Sequence, residues 1–183
     1  MCDDAPASSL PPRDPGRGGK SATFIVDTLD GRIEAWNPDD GVAGAAESEA
    51  TGPAHAAYTG LAIAGTAHSD ELFAADYGTG GVDVFNSSFQ QVKLAPWQFS
   101  DPSLSTERFR AFNTQALDGH IFVTYDTLNP DPAPGAGPEG LGEGVGAVDE
   151  FSTWAPTCRS PRSTSLSSWP ARRPRCTTRA ATG

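Results

Sequence analysis

Four polar side chains could supply oxygen ligands to a divalent cation. Asn113 and Gln115 alternate in the segment FNTQAL, Asp101 lies upstream of them, and Asp118 is also close in sequence. Amide and carboxylate oxygens are the ligands that calcium prefers, and a bound cation can polarise a substrate carbonyl for hydrolysis. These residues do not form a complete ligand set. We therefore predict no cofactor for this chain and treat a divalent cation as a hypothesis for a longer protein that would contain it.

No arrangement typical of catalysis is present elsewhere in the sequence. The histidines lie in separate segments without the spacing of a zinc site, and Ser87 does not stand in a G-x-S-x-G motif. Gly19-Lys20-Ser21 resembles the end of a phosphate-binding loop, but Asp14 occupies the place of the first glycine. The sequence thus predicts a non-catalytic protein, with no role assigned to the histidines and cysteines, which are His55, His68, His120, Cys2, Cys158 and Cys176.

The net charge of −10 is divided unevenly along the chain. All 23 acidic residues lie between Asp3 and Glu150, whereas residues 151–183 contain six arginines and no acid. Residues 153–183 lack apolar periodicity, so we expect a disordered basic tail, for which translation in a shifted frame is one explanation. Residues 1–21 lack the apolar core of a signal peptide and are expected to form a disordered leader. We expect no membrane span and, because the rest of the chain is acidic, no binding to nucleic acid.

A motif recurs three times along the chain. The segments FIVDTLDGRIEAWN (24–37) and FAADYGTGGVDVFN (73–86) share an aspartate and, nine residues later, an aromatic residue. Each copy also contains Gly-x-[Ile/Val]-[Asp/Glu]-x-aromatic, in which the acid is Glu34, Asp83 or, in the third copy, Asp149. The third copy is split by an insertion into FVTYD (122–126) and GAVDEF (146–151), and the copies follow one another at 49 and 50 residues. An aspartate at the end of a strand can accept hydrogen bonds from the next turn, so we interpret these aspartates as structural. The repeat positions are Asp27, Asp76 and Asp126, and Trp36, Phe85 and Phe151.

Each copy of the motif predicts a β-hairpin, because alternating apolar residues flank a glycine-rich turn. Further candidate strands are YTGLAIAG (58–65), QQVKLAPW (90–97) and FNTQALDG (112–119). Four strands in about 50 residues are typical of a propeller blade. We therefore predict an all-β fold in which residues 22–152 form two to three four-stranded antiparallel blades of a partial β-propeller, with a Pro/Gly-rich insertion at 127–145. The second blade is expected to be the most complete, with Phe73, Val82, Val84 and Leu61 buried.

The segment LFAADYGTGGVDVFNSSFQQV resembles an NHL-type propeller repeat. Taken in order, ATFIVDTLDGRIEAWNP, YTGLAIAG, LFAADYGTGGVDVFNSSFQ and IFVTYD with GAVDEF resemble uncharacterised, typically exported bacterial proteins of the six-bladed, TolB-like propeller type. The resemblance covers residues 22–151. It implies a full-length parent that is secreted or periplasmic, with further blades as the natural packing partner of this chain. It does not fix where this chain itself resides.

Three functions stay open on the sequence alone. The preferred one is a ligand- or protein-binding scaffold without catalytic activity. The second is a fragment of a metal-dependent propeller hydrolase or lactonase, and the third is a truncated product without function. Three or more acidic, amide or imidazole ligands that converge from different inner strands would favour the hydrolase. The sequence shows only one suitable inner strand, which carries Asn113 and Gln115.

Overall fold

The computed structural model describes residues 21–38, 45–65, 70–96, 98–104, 108–129 and 146–153, together with the backbone of residues 159–160. This described part consists of strands, turns and bends without an α-helix, which confirms the all-β prediction. Nearly all of the predicted leader (1–21) and most of the insertion (127–145) and of the basic tail (153–183) lie outside the described residues.

The strands of the described part form three antiparallel sheets that follow one another along the chain. Sheet 1 contains β1 (Phe24–Asp27), β2 (Arg32–Trp36) and β3 (Glu47–Thr51). Sheet 2 contains β4 (Tyr58–Gly65), β5 (Asp70–Asp76) and β6 (Val82–Phe85). Sheet 3 contains β7 (Phe109–Leu117), β8 (His120–Thr127), β9 (Ala147–Ser152) and β10 (Arg159–Ser160). Sequential strands pair in every sheet, so the connections stay local.

Sheets 1, 2 and 3 repeat one pairing register in their central hairpins. The acidic residue of the motif (Glu34, Asp83 or Asp149) stands opposite Val26, Ala74 or Val123, respectively. The aromatic residue two positions later (Trp36, Phe85 or Phe151) stands opposite Phe24, Leu72 or Ile121. The hairpins β1–β2, β5–β6 and β8–β9 are therefore equivalent.

The strands on either side of these hairpins also correspond. β4 and β7 precede β5 and β8, and each has a bulge at the same register, next to Tyr58 in β4 and next to Ala111 in β7. On the other side, the isolated bridge of Gln91 to Phe85 matches the pairing of Arg159 with Phe151. Each sheet thus follows one four-place plan, of which sheet 1 fills the last three places among the described residues.

The completeness of the sheets differs from the prediction. Sheet 3 has four strands, whereas the described residues 90–96 of the segment 90–97, expected to be the fourth strand of sheet 2, contribute only the bridge at Gln91. The sequence also did not predict β3, whose segment ESEAT has no apolar alternation, or the two-residue pairing of β10. Both are last strands at the edge of a sheet. A side chain on such a strand need not be apolar, so the alternation that reveals a strand is weak there.

Apolar side chains fill the two layers between successive sheets. One cluster joins sheets 1 and 2 through residues such as Ile33, Leu72 and Phe85, and the other joins sheets 2 and 3 through Phe73, Val84 and others. β5 is buried on both faces, which explains its continuous apolar run LFAA. The predicted burial of Phe73, Val82 and Val84 is confirmed, whereas Leu61 is partly buried.

Candidate functional site

A polar network lies in the layer between sheets 1 and 2. The Tyr58 hydroxyl donates a hydrogen bond of 2.7 Å to Asp83, and the Gln91 side-chain amide donates one of 3.1 Å to the other oxygen of that carboxylate. Burial raises the pKa of Tyr58, and the bond to Asp83 and the charge of that carboxylate raise it further. The hydroxyl therefore stays protonated and acts as a donor, which satisfies a carboxylate that packing has removed from most solvent.

Asp76 closes the loop between β5 and β6. Its carboxylate accepts hydrogen bonds from the backbone N–H of Thr79 at 3.1 Å, from the Thr79 hydroxyl at 2.6 Å and from the backbone N–H of Ala57 at 2.9 Å. The first two bonds hold the loop, and the third ties it to the segment that enters β4. Asp76 is fully buried, so these bonds replace the water that the carboxylate loses.

Asp27 does not play the part of Asp76, although both precede an aromatic residue by nine positions. In sheet 1 the last backbone bond of the hairpin joins Thr28 to Arg32, whereas in sheet 2 it joins Asp76 to Gly81. The loop of sheet 1 is therefore one residue shorter, and Thr28 takes the place of Asp76. Its hydroxyl accepts a bond of 3.0 Å from the Arg32 N–H.

The remaining repeat positions also differ in their surroundings. Asp27 has a buried carboxylate oxygen without a hydrogen-bond partner among the described residues, and burial raises its pKa. Asp126 lies within β8, opposite Arg110, and accepts a bond from the Thr127 N–H. The three aligned aspartates thus lie in three different environments, which the match of residue types in the sequence could not distinguish.

Asp149 is the acidic side chain that packing isolates most strongly. It lies on β9 in the layer between sheets 2 and 3, is 3% exposed, and has no hydrogen-bond partner for either carboxylate oxygen among the described residues. Its counterpart in sheet 2 is Asp83, which binds Tyr58, but Ala111 occupies the place of that tyrosine in sheet 3. Sheet 3 therefore lacks the hydroxyl donor that satisfies the acid in sheet 2.

Isolation of this carboxyl alters its protonation. Burial raises the pKa of Asp149 to about 6, and the negative charge of Asp101 contributes to the rise. Burial likewise raises the pKa of Tyr125, with the charges of Asp149 and Asp101 acting in the same direction. The loop that holds Asp101 is fixed over this layer by Phe99, whose ring lies 5.4 Å from Phe73 and 5.2 Å from Phe151. The arrangement can store a proton between the sheets near neutral pH.

The oxygen ligands suggested by the sequence have separate partners. Asp101 accepts bonds from the backbone N–H and the hydroxyl of Ser103, within its own loop. Asn113 is exposed at the bulge of β7, where its side-chain oxygen accepts a bond from the Thr114 N–H, and Gln115 is also exposed. Asp118 forms the tight turn between β7 and β8 with a φ of 51°. In the part of the chain that the structure describes, no three His, Cys, Asp or Glu side chains form a group that could hold a metal ion.

The histidines that the structure describes are not near a nucleophile in any contact that it shows. His120 lies 3.0 Å from a Glu150 carboxylate oxygen across the β8–β9 pair, at a partly exposed position. His55 occupies the turn before β4. His68 and the three cysteines lie outside the described residues. The strongest candidate site is therefore Asp149, which sequence reasoning noted as a motif residue but did not separate from Asp83; the alanine at position 111 was the signal.

Among the described residues, no helix combines the length and the apolar character needed to cross a membrane. Comparison of the chain with protein-family models, with curated proteins and with solved structures gives no match. The equivalence of the three sheets and the isolated carboxyl of Asp149 are the features on which a function must be argued.

Proposed function

We propose that this chain forms three successive blades of a β-propeller and serves as a non-catalytic scaffold for binding a ligand or a protein. The observation that carries the proposal is the repeated relation between neighbouring sheets. Two residues after the motif glycine, Ile33 in sheet 1 and Val82 in sheet 2 face the next sheet. In sheet 2 the motif acid Asp83 and the aromatic Phe85 face the preceding sheet. Sheets that each pack the same face against the next sheet are typical of blades arranged around an axis.

Contacts between the sheets support the same arrangement. The backbone N–H of Tyr58 donates to the carbonyl of Thr28, and that of Ala111, the equivalent residue one sheet later, donates to the carbonyl of Gly80. Both carbonyls belong to the hairpin loop of the preceding sheet. β4 also packs directly against β7, so the first strands of sheets 2 and 3 adjoin each other, as the innermost strands of neighbouring blades do.

A scaffold role is favoured because the acids within the sheet layers of the described part serve packing and loops. Asp76 and Asp83 accept hydrogen bonds from neighbouring protein groups, and Asp149 is only 3% exposed to solvent. A substrate reaches a reactive carboxyl only through an opening. Six blades and an exported parent remain proposals that rest on the resemblance of the repeat motif.

One observation favours the alternative of a metal-dependent hydrolase. Asp101 and Asp149 lie close enough for the charge of one to raise the pKa of the other, and a divalent cation would relieve such repulsion. A cation held by these two carboxylates would have to reach Asp149, which is 3% exposed. The exposed amides of Asn113 and Gln115 lie on β7, outside that pair.

Calcium titration separates the two functions. The purified chain is melted at pH 7.5 with and without calcium, and its turnover of an aryl ester and a lactone is measured, beside Asp101→Asn and the exposed-turn control Asp118→Asn. We expect a melting temperature and a turnover that calcium does not change in any of the three proteins. A calcium-dependent turnover that Asp101→Asn removes and Asp118→Asn retains would establish the hydrolase instead, whereas a rise in melting temperature alone would show only a bound cation.

A further inference from the structure

Among the residues that the structure describes, sheet 1 has no counterpart of the first strand of sheets 2 and 3. In sheets 2 and 3 a first strand, β4 or β7, pairs with the strand that is equivalent to β1. Among the described residues, β1 pairs with β2 alone. The first place of sheet 1 is thus an open edge of known geometry, because the equivalent edges of β5 and β8 show how it is filled.

The open edge carries backbone groups that can pair. The Thr28 N–H bonds to Arg32 in β2, so alternate residues of β1 direct their N–H and C=O groups the other way. These residues are Ile25 and Asp27. Their equivalents in sheet 2, Phe73 and Ala75, stand opposite Ala62 and Gly60 of β4 in the ladder of that sheet. An incoming strand would find the same pattern of donors and acceptors on β1.

The sheet face beside this edge is apolar, and no described strand covers it. Phe24 is 63% exposed and Val26 is 45% exposed, whereas their equivalents in sheet 2, Leu72 and Ala74, are buried against sheet 1. Trp36 lies on this face and packs against Phe24, with 5.7 Å between the ring centroids. An apolar strand placed on the edge would extend the same surface and would also contact β4, as β4 contacts β7.

The chain's own neighbouring segments are poor candidates for this strand. The residues that precede β1 at the distance of a hairpin partner include Pro11, Pro12 and Pro15, and the segment after β10 includes Pro161, Pro170 and Pro174. Proline cannot donate to a ladder and is confined to strand ends and edges. A strand from another polypeptide does not have this defect.

We propose that the open edge of β1 binds an extended, uncharged, alternately apolar strand of another polypeptide, in antiparallel pairing, at the place that β4 and β7 fill in the other sheets. Backbone pairing supplies the affinity, and the alternating side chains supply the selectivity. Asp27 on β1 and Glu34 on the adjoining β2 disfavour an acidic strand, whereas Asp30 is already paired with Arg32 at 2.7 Å. This inference rests on the equivalence of the strands and holds even if the three sheets do not belong to a propeller.

A peptide with the sequence of residues 58–65, YTGLAIAG, is the probe, because β4 shows that this sequence fits the equivalent edge. The fluorescein-labelled peptide is titrated into the full chain, kept below the concentration at which the chain self-associates. One peptide variant carries an N-methyl group at Ala62, whose N–H faces the paired strand in sheet 2. The matched control carries it at Leu61, whose N–H faces the other way.

We expect saturable binding that weakens at least tenfold, about 1.4 kcal/mol, with N-methyl-Ala62 and changes little with N-methyl-Leu61. The bound peptide should also slow the hydrogen exchange of the Ile25 and Asp27 amides. Absence of saturable binding, or equal loss from the two methylated peptides, would overturn the proposal. So would a dimer of the chain, joined through β1, that excess peptide does not dissociate.

Discussion

The carboxyl of Asp149 shows how one substitution between repeats changes the chemistry of a buried layer. Sheets 2 and 3 both carry the motif acid. Tyr58 donates a hydrogen bond to Asp83 in sheet 2, whereas the equivalent residue in sheet 3, Ala111, has no hydroxyl to donate to Asp149. The outcome is a protonatable group with a pKa of about 6 in one layer and a hydrogen-bonded network in the other. Repeats of one fold thus need not repeat its electrostatics.

This carboxyl should make stability depend on pH. An aspartate in the unfolded chain titrates near 3.8, whereas folded Asp149 titrates at about 6, so the unfolded state releases its proton first as pH rises. The free energy of unfolding should therefore fall by at most about 3 kcal/mol between about pH 4 and pH 6, and it should stay at the lower value above pH 6. Asp149→Asn removes this titration. Urea denaturation at several pH values should show that the free energy of unfolding of this variant depends less on pH than that of the unmodified chain.

Two comparisons isolate the effect of Asp149. The exposed Asp118→Asn should retain the pH dependence of the unmodified chain, and Asp101→Asn should move its midpoint to lower pH by removing a like charge. The pKa values of Asp27 and Asp83 are raised like that of Asp149, so only the difference between the Asp149→Asn variant and the unmodified chain is diagnostic. An Asp149→Asn protein with the full pH dependence would show that this carboxyl is not the titrating group.

At the level of the element, hairpin loops of unequal length give similar sequences different roles. Asp76 holds its loop by three hydrogen bonds, whereas Asp27, aligned with it, lies one register position earlier in its strand. We predict that Asp76→Ala lowers the free energy of unfolding by about 2 to 4 kcal/mol, because three hydrogen bonds to a buried carboxylate are lost. Asp27→Ala should cost less than about 1 kcal/mol, since the carboxylate it removes is only partly satisfied. Chemical denaturation of both variants measures the difference, and equal losses would contradict it.

The hairpins could be predicted from the sequence because each has an apolar alternation and a turn signal of its own. RIEAW buries Ile33 and Ala35 on one face, and the Asp118-Gly119 pair, both with positive φ, makes the two-residue turn between β7 and β8. The polar edge strand β3 has no such pattern, and the one-residue difference in loop length is invisible to an alignment on aromatic residues. The isolation of Asp149 depends on a residue more than thirty positions away, Ala111, which only the pairing of β7 with β8 brings into register.

At the level of the whole molecule, the described part ends in an uncovered sheet face at sheet 1. The side chains on that face are the aromatic and apolar ones that sheets 2 and 3 bury against a neighbour, and the exposed members include Phe24 and Val26. Contiguous apolar surface of this kind drives association in water. A stack of sheets cannot cover both of its outer faces without a further partner or ring closure.

We therefore predict that the chain self-associates at micromolar concentration and that Val26→Lys reduces this association without loss of the fold. The lysine would project from a face that contacts no other sheet in the described part, so its charge can remain in water. Ile33→Lys is the matched control, because Ile33 is fully buried between sheets 1 and 2 and its replacement should unfold the chain. Sedimentation velocity measures the association of both variants, and circular dichroism measures their folding. Unchanged association of a folded Val26→Lys protein would show that the chain associates through another surface.

The equivalence of the three sheets as successive blades is tested most directly by an experimental structure of the chain. The rotation that superposes the β1–β2 hairpin on β5–β6 should equal the rotation that superposes β5–β6 on β8–β9, about one common axis beside β4 and β7. For six blades each rotation should be about 60°. Two rotations about unrelated axes, or sheets 1 and 3 packed against each other as a closed sandwich, would contradict the propeller arrangement.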